Sequence, residues 1–117
     1  MATYDLEERT FLYGKECALF VKSLSKNMLS TEYGKQLIRS SSSVGANYIE
    51  ANESLGEKDF KMRIKICRKE AKESSYWLRM IRETGLAENT KQINNLIQES
   101  FELRKIFTAI LVNRKFS

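Results

Sequence analysis

The sequence predicts an all-α protein, an antiparallel up-down-up-down four-helix bundle. Three observations favour this fold: four segments carry apolar side chains at alternating steps of three and four residues, the breaks between them are short and polar, and the chain contains no proline. Such steps keep side chains on one face of an α-helix, and short connections make successive helices antiparallel neighbours. Because 117 residues suit one hydrophobic core, we expect a single domain spanning residues 1–117.

The four predicted helices have similar lengths. They run from about Asp5 to Lys26, from Thr31 to Glu53, from Glu57 to Thr84, and onward from Asn89. Helices of about 22–28 residues extend over about 33–42 Å, so they match one another in a bundle.

Local signals predict several of the helix ends. Asp5 with Glu8, and Ser54 with Glu57, have the three-residue spacing of a capping pair at a helix N-terminus. Gly85 directly follows the third segment and is a natural residue for the position just beyond a helix C-terminus.

The apolar stripes predict the residues that face the core. The first two stripes are Leu6, Thr10, Tyr13, Cys17, Phe20 and Leu24, and then Leu37, Ser41, Val44, Tyr48 and Ala51. The last two are Phe60, Ile64, Cys67, Ala71, Ser74, Leu78 and Ile81, and then Ile93, Leu96, Ser100, Leu103, Phe107 and Ile110.

Small residues dominate the middle of the second helix, from Ser40 to Ser43 and at Gly45 and Ala46. This composition favours close approach of another helix. A bent or broken helix is the alternative, because serine competes for backbone hydrogen bonds and glycine costs about 1 kcal/mol relative to alanine.

The residue types exclude most familiar catalytic sites. The chain has no histidine, so it lacks the imidazole of Ser-His-Asp and Cys-His sites, of histidine-ligated zinc and of di-iron bundles. Cys17 and Cys67 are too few for a disulfide framework and lie on apolar stripes, which predicts buried thiols. We therefore expect no enzyme, no metal and no cofactor. A carboxylate metal site is the alternative, built from Glu50, Glu53, Glu70 and Glu73.

Targeting and membrane segments are not evident in the sequence. No window approaches the roughly 18 uncharged apolar residues of a membrane span, and residues 1–9 carry acids where a secretory signal is basic and then apolar. We expect a cytoplasmic protein with no membrane partner.

Basic residues concentrate on the third helix. Residues 57–83 contain nine basic and five acidic residues, a surplus of four in a chain whose net charge is +5. A phosphate backbone would relieve the repulsion between like charges four residues apart, and a solvated face paired with nearby acids is the alternative. The predicted nucleic-acid-binding residues are Lys58, Lys61, Lys65, Arg68, Lys72, Arg79 and Arg82.

The opposite flank of the third helix mixes acids with large apolar residues, which predicts an interface or a polar network. Buried carboxylates need donors, and the second helix supplies candidates. The predicted members are Gln36, Arg39, Asn47, Glu50, Glu70, Glu73 and Trp77.

Several stretches resemble a known family: QLIRSSSSVGANYIEA at residues 36–51, KDF at 58–60 and EAKESSYWL at 70–78. It is the family of four-helix-bundle proteins named for intervening sequences in 23S ribosomal RNA genes, and Asp5, Leu6 and Arg9 also fit its opening. Ser25-Lys26 departs from the proline expected at the end of the first helix. The resemblance implies a homopentameric ring of bundles and similarity to accessory proteins of retroelement reverse transcriptases.

Together these features predict a non-enzymatic bundle that self-associates, with a pentamer implied by the resemblance. Its basic surface is expected to bind nucleic acid, RNA or DNA, or to contact a nucleic-acid-handling enzyme as an accessory protein. The alternative is an oligomeric scaffold that binds only protein.

Overall fold

Residues 5–113 are described by a computed structural model, and within them the chain forms four helices and no strand. The helices are α1 (Leu6–Ser23), α2 (Met28–Asn52), α3 (Glu57–Glu83) and α4 (Thr90–Asn113). Each packs against the next along the chain, and α1 and α4 meet to close the bundle. The predicted all-α, up-down-up-down fold is confirmed; the expected domain, residues 1–117, extends beyond the described residues at both ends.

The apolar stripes form the core as predicted. Every predicted inward residue is buried except Leu6, Leu24 and Ile110, which are partly buried against the core near the helix ends. The bundle is also fastened across its α1–α4 side, where Arg9 Nε lies 2.7 Å from Glu99 Oε2.

Two predicted helix ends are confirmed. The Asp5 carboxylate accepts hydrogen bonds from the backbone N–H groups of Glu7 and Glu8, which caps α1. Gly85 has a φ of 73° and donates to the carbonyl of Arg82, while Leu86 N–H donates to the carbonyl of Ile81. This pair of bonds is the Schellman arrangement that satisfies carbonyls at a helix C-terminus.

Other predicted ends are wrong. Ser54 does not cap α3, because its N–H and hydroxyl bond back to the carbonyls of Ala51 and Glu50; the residue before α3 is Gly56, which has no side chain to accept a bond. The second helix begins three residues before Thr31, since Asn27 and Ser30 form a reciprocal capping box.

The first helix ends before the predicted Lys26. It stops at Ser23, because Leu24 adopts extended backbone with φ −76° and ψ 145°.

The small residues of α2 permit close helix packing without a break. The helix is continuous from Met28 to Asn52. A Cβ built on Gly45 would lie 3.4 Å from the carbonyl carbon of Thr10, and one on Gly14 would lie 3.3 Å from the carbonyl oxygen of Ser41. The backbones of α1 and α2 therefore approach each other at these glycines.

Candidate functional site

An open groove with a volume of about 1060 Å³ lies between α3 and α4. Its α3 wall spans residues 65–72 and its α4 wall spans residues 98–113. None of its described lining residues is acidic. The basic lining residues are Lys65, Arg68, Lys69, Lys72, Arg104 and Lys105.

The structure divides the predicted basic stripe. Three members line the groove, and four do not. Lys58 and Arg79 are exposed elsewhere on α3. Lys61 Nζ pairs with Glu57 Oε2 at 2.9 Å, and Arg82 pairs with Glu83 and bonds to Asn94 of α4. The seven residues extend over about 36 Å of helix, longer than the stretch that faces α4 across the groove.

Several groove residues were missed by the sequence analysis: Lys69 on α3, and Phe101, Arg104 and Lys105 on α4. The α4 residues recur at steps of three and four, so they share a face. That periodicity could have marked the face, but placing it against Lys65 and Lys72 requires the register between two helices.

Positive charge in the groove is only weakly compensated. Within residues 5–113, Lys65, Lys72 and Arg104 form no ion pair, and Arg68 Nη1 donates to Thr108 Oγ1 at 3.3 Å. Two lysines form long ion pairs: Lys69 Nζ lies 4.0 Å from Glu70 Oε2, and Lys105 Nζ lies 3.8 Å from Glu102 Oε2. Both lysines are largely exposed and both separations are long, so these pairs contribute little and the groove presents a positive potential.

A second cluster joins α2 and α3. Arg39 donates to Glu70 Oε1 at 3.3 Å and to Glu73 Oε2, and Trp77 Nε1 donates to the same Glu73 oxygen at 3.0 Å. The Trp77 ring stacks on Tyr33 with centroids 6.0 Å apart.

Not all predicted members of the polar network join it. Gln36 accepts a long bond from Arg39 Nε at 3.4 Å. Asn47 instead accepts from Arg63 Nη1 at 3.2 Å, and Glu50 is exposed about 16 Å along α2 from Arg39. The cluster extends from the surface toward the core, because the Arg39 side chain is 48% exposed whereas that of Glu70 is 10% exposed.

The family of 23S rRNA-intervening sequence proteins matches residues 6–109. The chain belongs to this family. Its fold matches a crystal structure from Bacteroides thetaiotaomicron, described as a protein with unknown function from the S23 ribosomal protein family, with a TM-score of 0.80 and 25% identity over 92% of this chain and 98% of that one. No curated protein matches the chain. The resemblance seen in the sequence is confirmed, and neither description names an enzymatic activity.

The thiols of this 23S rRNA-intervening sequence protein are buried as predicted. Cys17 and Cys67 are 0% exposed, and burial raises the pKa of each to about 12. A thiol with so high a pKa is a poor nucleophile at neutral pH.

No helix within residues 5–113 has both the length and the hydropathy needed to cross a membrane. Across the same residues, no three His, Cys, Asp or Glu side chains cluster as a metal site would require. Of the four carboxylates considered above, Glu70 and Glu73 are bonded to Arg39.

Replacing Arg39 with methionine is expected to lower the free energy of unfolding of this family member by about 1–2 kcal/mol. The change removes the guanidinium that pairs with the buried Glu70 carboxylate and leaves Lys69 Nζ, 4.0 Å away, as its neighbouring cation. Because the Arg39 side chain is half-exposed in the wild type, water can replace part of the lost interaction. Urea unfolding measures the effect, with Lys35→Met, at an exposed site on the same helix, as the control. Equal stability of wild type and Arg39→Met would show that Glu70 is solvated.

Acid should weaken the fold in part through Glu73. The hydrogen bond from Trp77, together with Arg39, holds the pKa of Glu73 below its ordinary value of 4.5. A lowered pKa stabilises the folded state above the ordinary value, and this contribution is lost as pH falls through the folded-state value. Glu73→Gln removes the titrating group. As the pH falls below about 4.5, the midpoint temperature of thermal unfolding should therefore fall less in this variant than in the wild type. An identical pH profile would contradict this role for Glu73.

Proposed function

We propose that this protein is a non-enzymatic nucleic-acid-binding protein whose α3–α4 groove contacts the phosphate backbone. The observation that carries the proposal is the groove lining, in which six basic side chains come from two helices and none of the described lining residues is acidic. A nucleic acid is the polyanion whose regularly spaced phosphates suit such a surface.

Repulsion between the basic residues of the groove destabilises the protein when no nucleic acid is bound. Lys65 with Lys69, and Arg68 with Lys72, are like charges four residues apart, and each such pair destabilises a helix by about 0.2–0.5 kcal/mol. Arg104 and Lys105 add charge across the groove. Phosphates would relieve this repulsion and release counterions, so binding gains free energy from the same residues.

The absence of catalysis is part of the proposal. The sequence has no histidine, and both thiols have a raised pKa. The groove offers cations that hold an anion in place, and none of its described lining residues is a cysteine, a histidine or a carboxylate. Contacts of this kind position a phosphate backbone and do not read base sequence. The proposal retains the expectation of a cytoplasmic protein.

Salt dependence tests the proposal. Four phosphate contacts predict a slope of about −3 for log affinity against log salt, since each contact contributes about −0.7 to −0.9. Fluorescence anisotropy with labelled oligonucleotides, between about 50 and 200 mM salt, measures this slope. Failure to bind any oligonucleotide at the lowest salt, or a slope near zero, would overturn the proposal.

Self-association is a second part of the proposal, supported by apolar side chains along the outside of the α1–α2 pair. Phe11, Ile38 and Ile49 are 60%, 41% and 51% exposed. A Cβ on Gly45 would lie 3.5 Å from the backbone nitrogen of Phe11, so Phe11 lies beside the close contact between α1 and α2. Ile38 and Ile49 lie seven residues before and four residues after Gly45, on the same side of α2. This face also favours the alternative function, a scaffold that binds only protein.

A second copy of the chain is the proposed occupant of this face, and the resemblance implies five copies. Sedimentation velocity at micromolar concentration should show a species heavier than the 13.6 kDa chain. Replacing Phe11 and Ile49 with glutamate should yield monomer. A monomeric wild type would sink the assembly claim and leave the groove proposal standing.

A further inference from the structure

We infer that the α3–α4 groove takes single-stranded nucleic acid, with a base stacked on the ring of Phe101. This inference rests on the proposed function and specifies which nucleic acid the groove accepts. The ring lies among the six cations and is 41% exposed.

Phe101 is not needed to fill the core. The core side of α4 is formed by the buried residues Ile93, Leu96, Ser100, Leu103 and Phe107. Phe101 lies outside that stripe and lines the groove instead. An exposed aromatic ring on a positively charged surface is the arrangement found where single strands bind, because every base has a face that can stack.

Arg104 strengthens the case for stacking. Its guanidinium carbon lies 5.5 Å from the centroid of the Phe101 ring, a cation–π distance. A planar guanidinium can cover a base as well as a phenyl ring. A base can therefore stack on Phe101 beside the Arg104 guanidinium while neighbouring lysines contact the flanking phosphates.

The apolar part of the groove also selects against a duplex. Ala109 and Val112 continue the α4 wall beyond the ring, and Val112 is 75% exposed. The wall from Gln98 to Val112 covers about 21 Å of helix, enough for a few nucleotides. A single strand can lay unstacked bases on this surface, whereas a duplex keeps the faces of its bases buried in the stack and presents phosphates.

Phe101→Leu tests the inference, because leucine keeps an apolar side chain and removes the aromatic face. The probes are a short labelled oligothymidylate, a duplex of equal length and polyglutamate. Wild type should prefer the oligothymidylate. The variant should bind it about five- to tenfold more weakly with an unchanged salt slope, since one stacked base is lost. Duplex affinity should not change.

Two further variants sharpen the reading. Phe101→Tyr keeps a stacking ring and should bind oligothymidylate with the wild-type affinity. This expectation does not depend on whether Phe101→Leu folds, which circular dichroism checks. Tyr76→Leu removes an exposed ring on α3 outside the groove and should leave the affinity for oligothymidylate unchanged.

Separate outcomes distinguish the two claims. If wild type binds neither oligonucleotide, the proposed function fails. If wild type prefers the duplex, if both Phe101 variants bind the oligothymidylate as wild type does, or if polyglutamate binds equally well and depends equally on Phe101, the single-strand inference is wrong. In the first two of these cases the phosphate-binding groove still stands, whereas equal polyglutamate binding would favour an acidic protein partner.

Discussion

Replacing Lys65, Arg68, Lys72 and Arg104 together with glutamine is expected to lower the affinity for oligothymidylate by about 10²-fold at about 0.15 M salt. All four line the groove, from both of its walls. Each phosphate contact to a single strand contributes a slope of about −0.7, which amounts to roughly 0.6 log units at this salt concentration, so four contacts give the expected loss. The salt slope should also flatten, because fewer counterions are released.

The fold should survive these substitutions, since they remove like-charge repulsion and no buried side chain. A second quadruple variant separates groove contacts from total charge. It replaces four exposed lysines outside the groove with glutamine: Lys15, Lys22, Lys26 and Lys91. Both variants lower the net charge from +5 to +1 by removing four positive charges. Equal weakening by the two variants would show that only overall charge matters.

Gly45→Leu is expected to lower the free energy of unfolding by about 2–3 kcal/mol. A Cβ at this position would already lie 3.3 Å from Thr10 Oγ1, 3.4 Å from the carbonyl carbon of Thr10 and 3.5 Å from the backbone nitrogen of Phe11. Backbone atoms cannot rotate aside as side chains do, so α1 must move away from α2. The overpacking cost exceeds the gain of about 1 kcal/mol from replacing glycine within a helix.

Ala46→Leu is the matched control, because Ala46 is the next residue on α2 and is exposed. Urea unfolding followed by circular dichroism measures both variants. The control should unfold at nearly the wild-type urea concentration. If Gly45→Leu matched it, the close approach of α1 and α2 would not be required for stability.

The helices and their core faces were predictable because a helical repeat is a local property of the sequence. Apolar steps of three and four identified every buried hydrophobic residue of the described chain, and also Thr10, Ser41 and Ser100, which composition alone would not suggest. They did not identify buried small residues such as Gly34, Ser40 and Gly45. Helix ends were less predictable, since capping residues compete. Ser54 matches a capping sequence but remains bonded to the end of α2, and Asn27 starts its helix one turn earlier than expected.

The candidate site was predictable only in part. The basic stripe on α3 is visible in one segment, yet a groove needs two walls, and Arg104 and Phe101 lie more than thirty residues from Lys65 along the chain. Their positions depend on the register between α3 and α4. The same limit applies to the polar cluster, where Arg39 meets Glu70 and Glu73 as expected while Asn47 pairs with Arg63.

Photochemical crosslinking of a bound oligothymidylate, with the modified peptides identified by mass spectrometry, tests most directly whether the α3–α4 groove holds nucleic acid. The oligothymidylate carries a photoreactive base, and the protein is kept at a concentration that saturates it. Adducts are expected in the two groove segments, residues 65–72 of α3 and residues 98–112 of α4. Adducts confined to α1 and α2 at saturation would contradict a binding site in this groove.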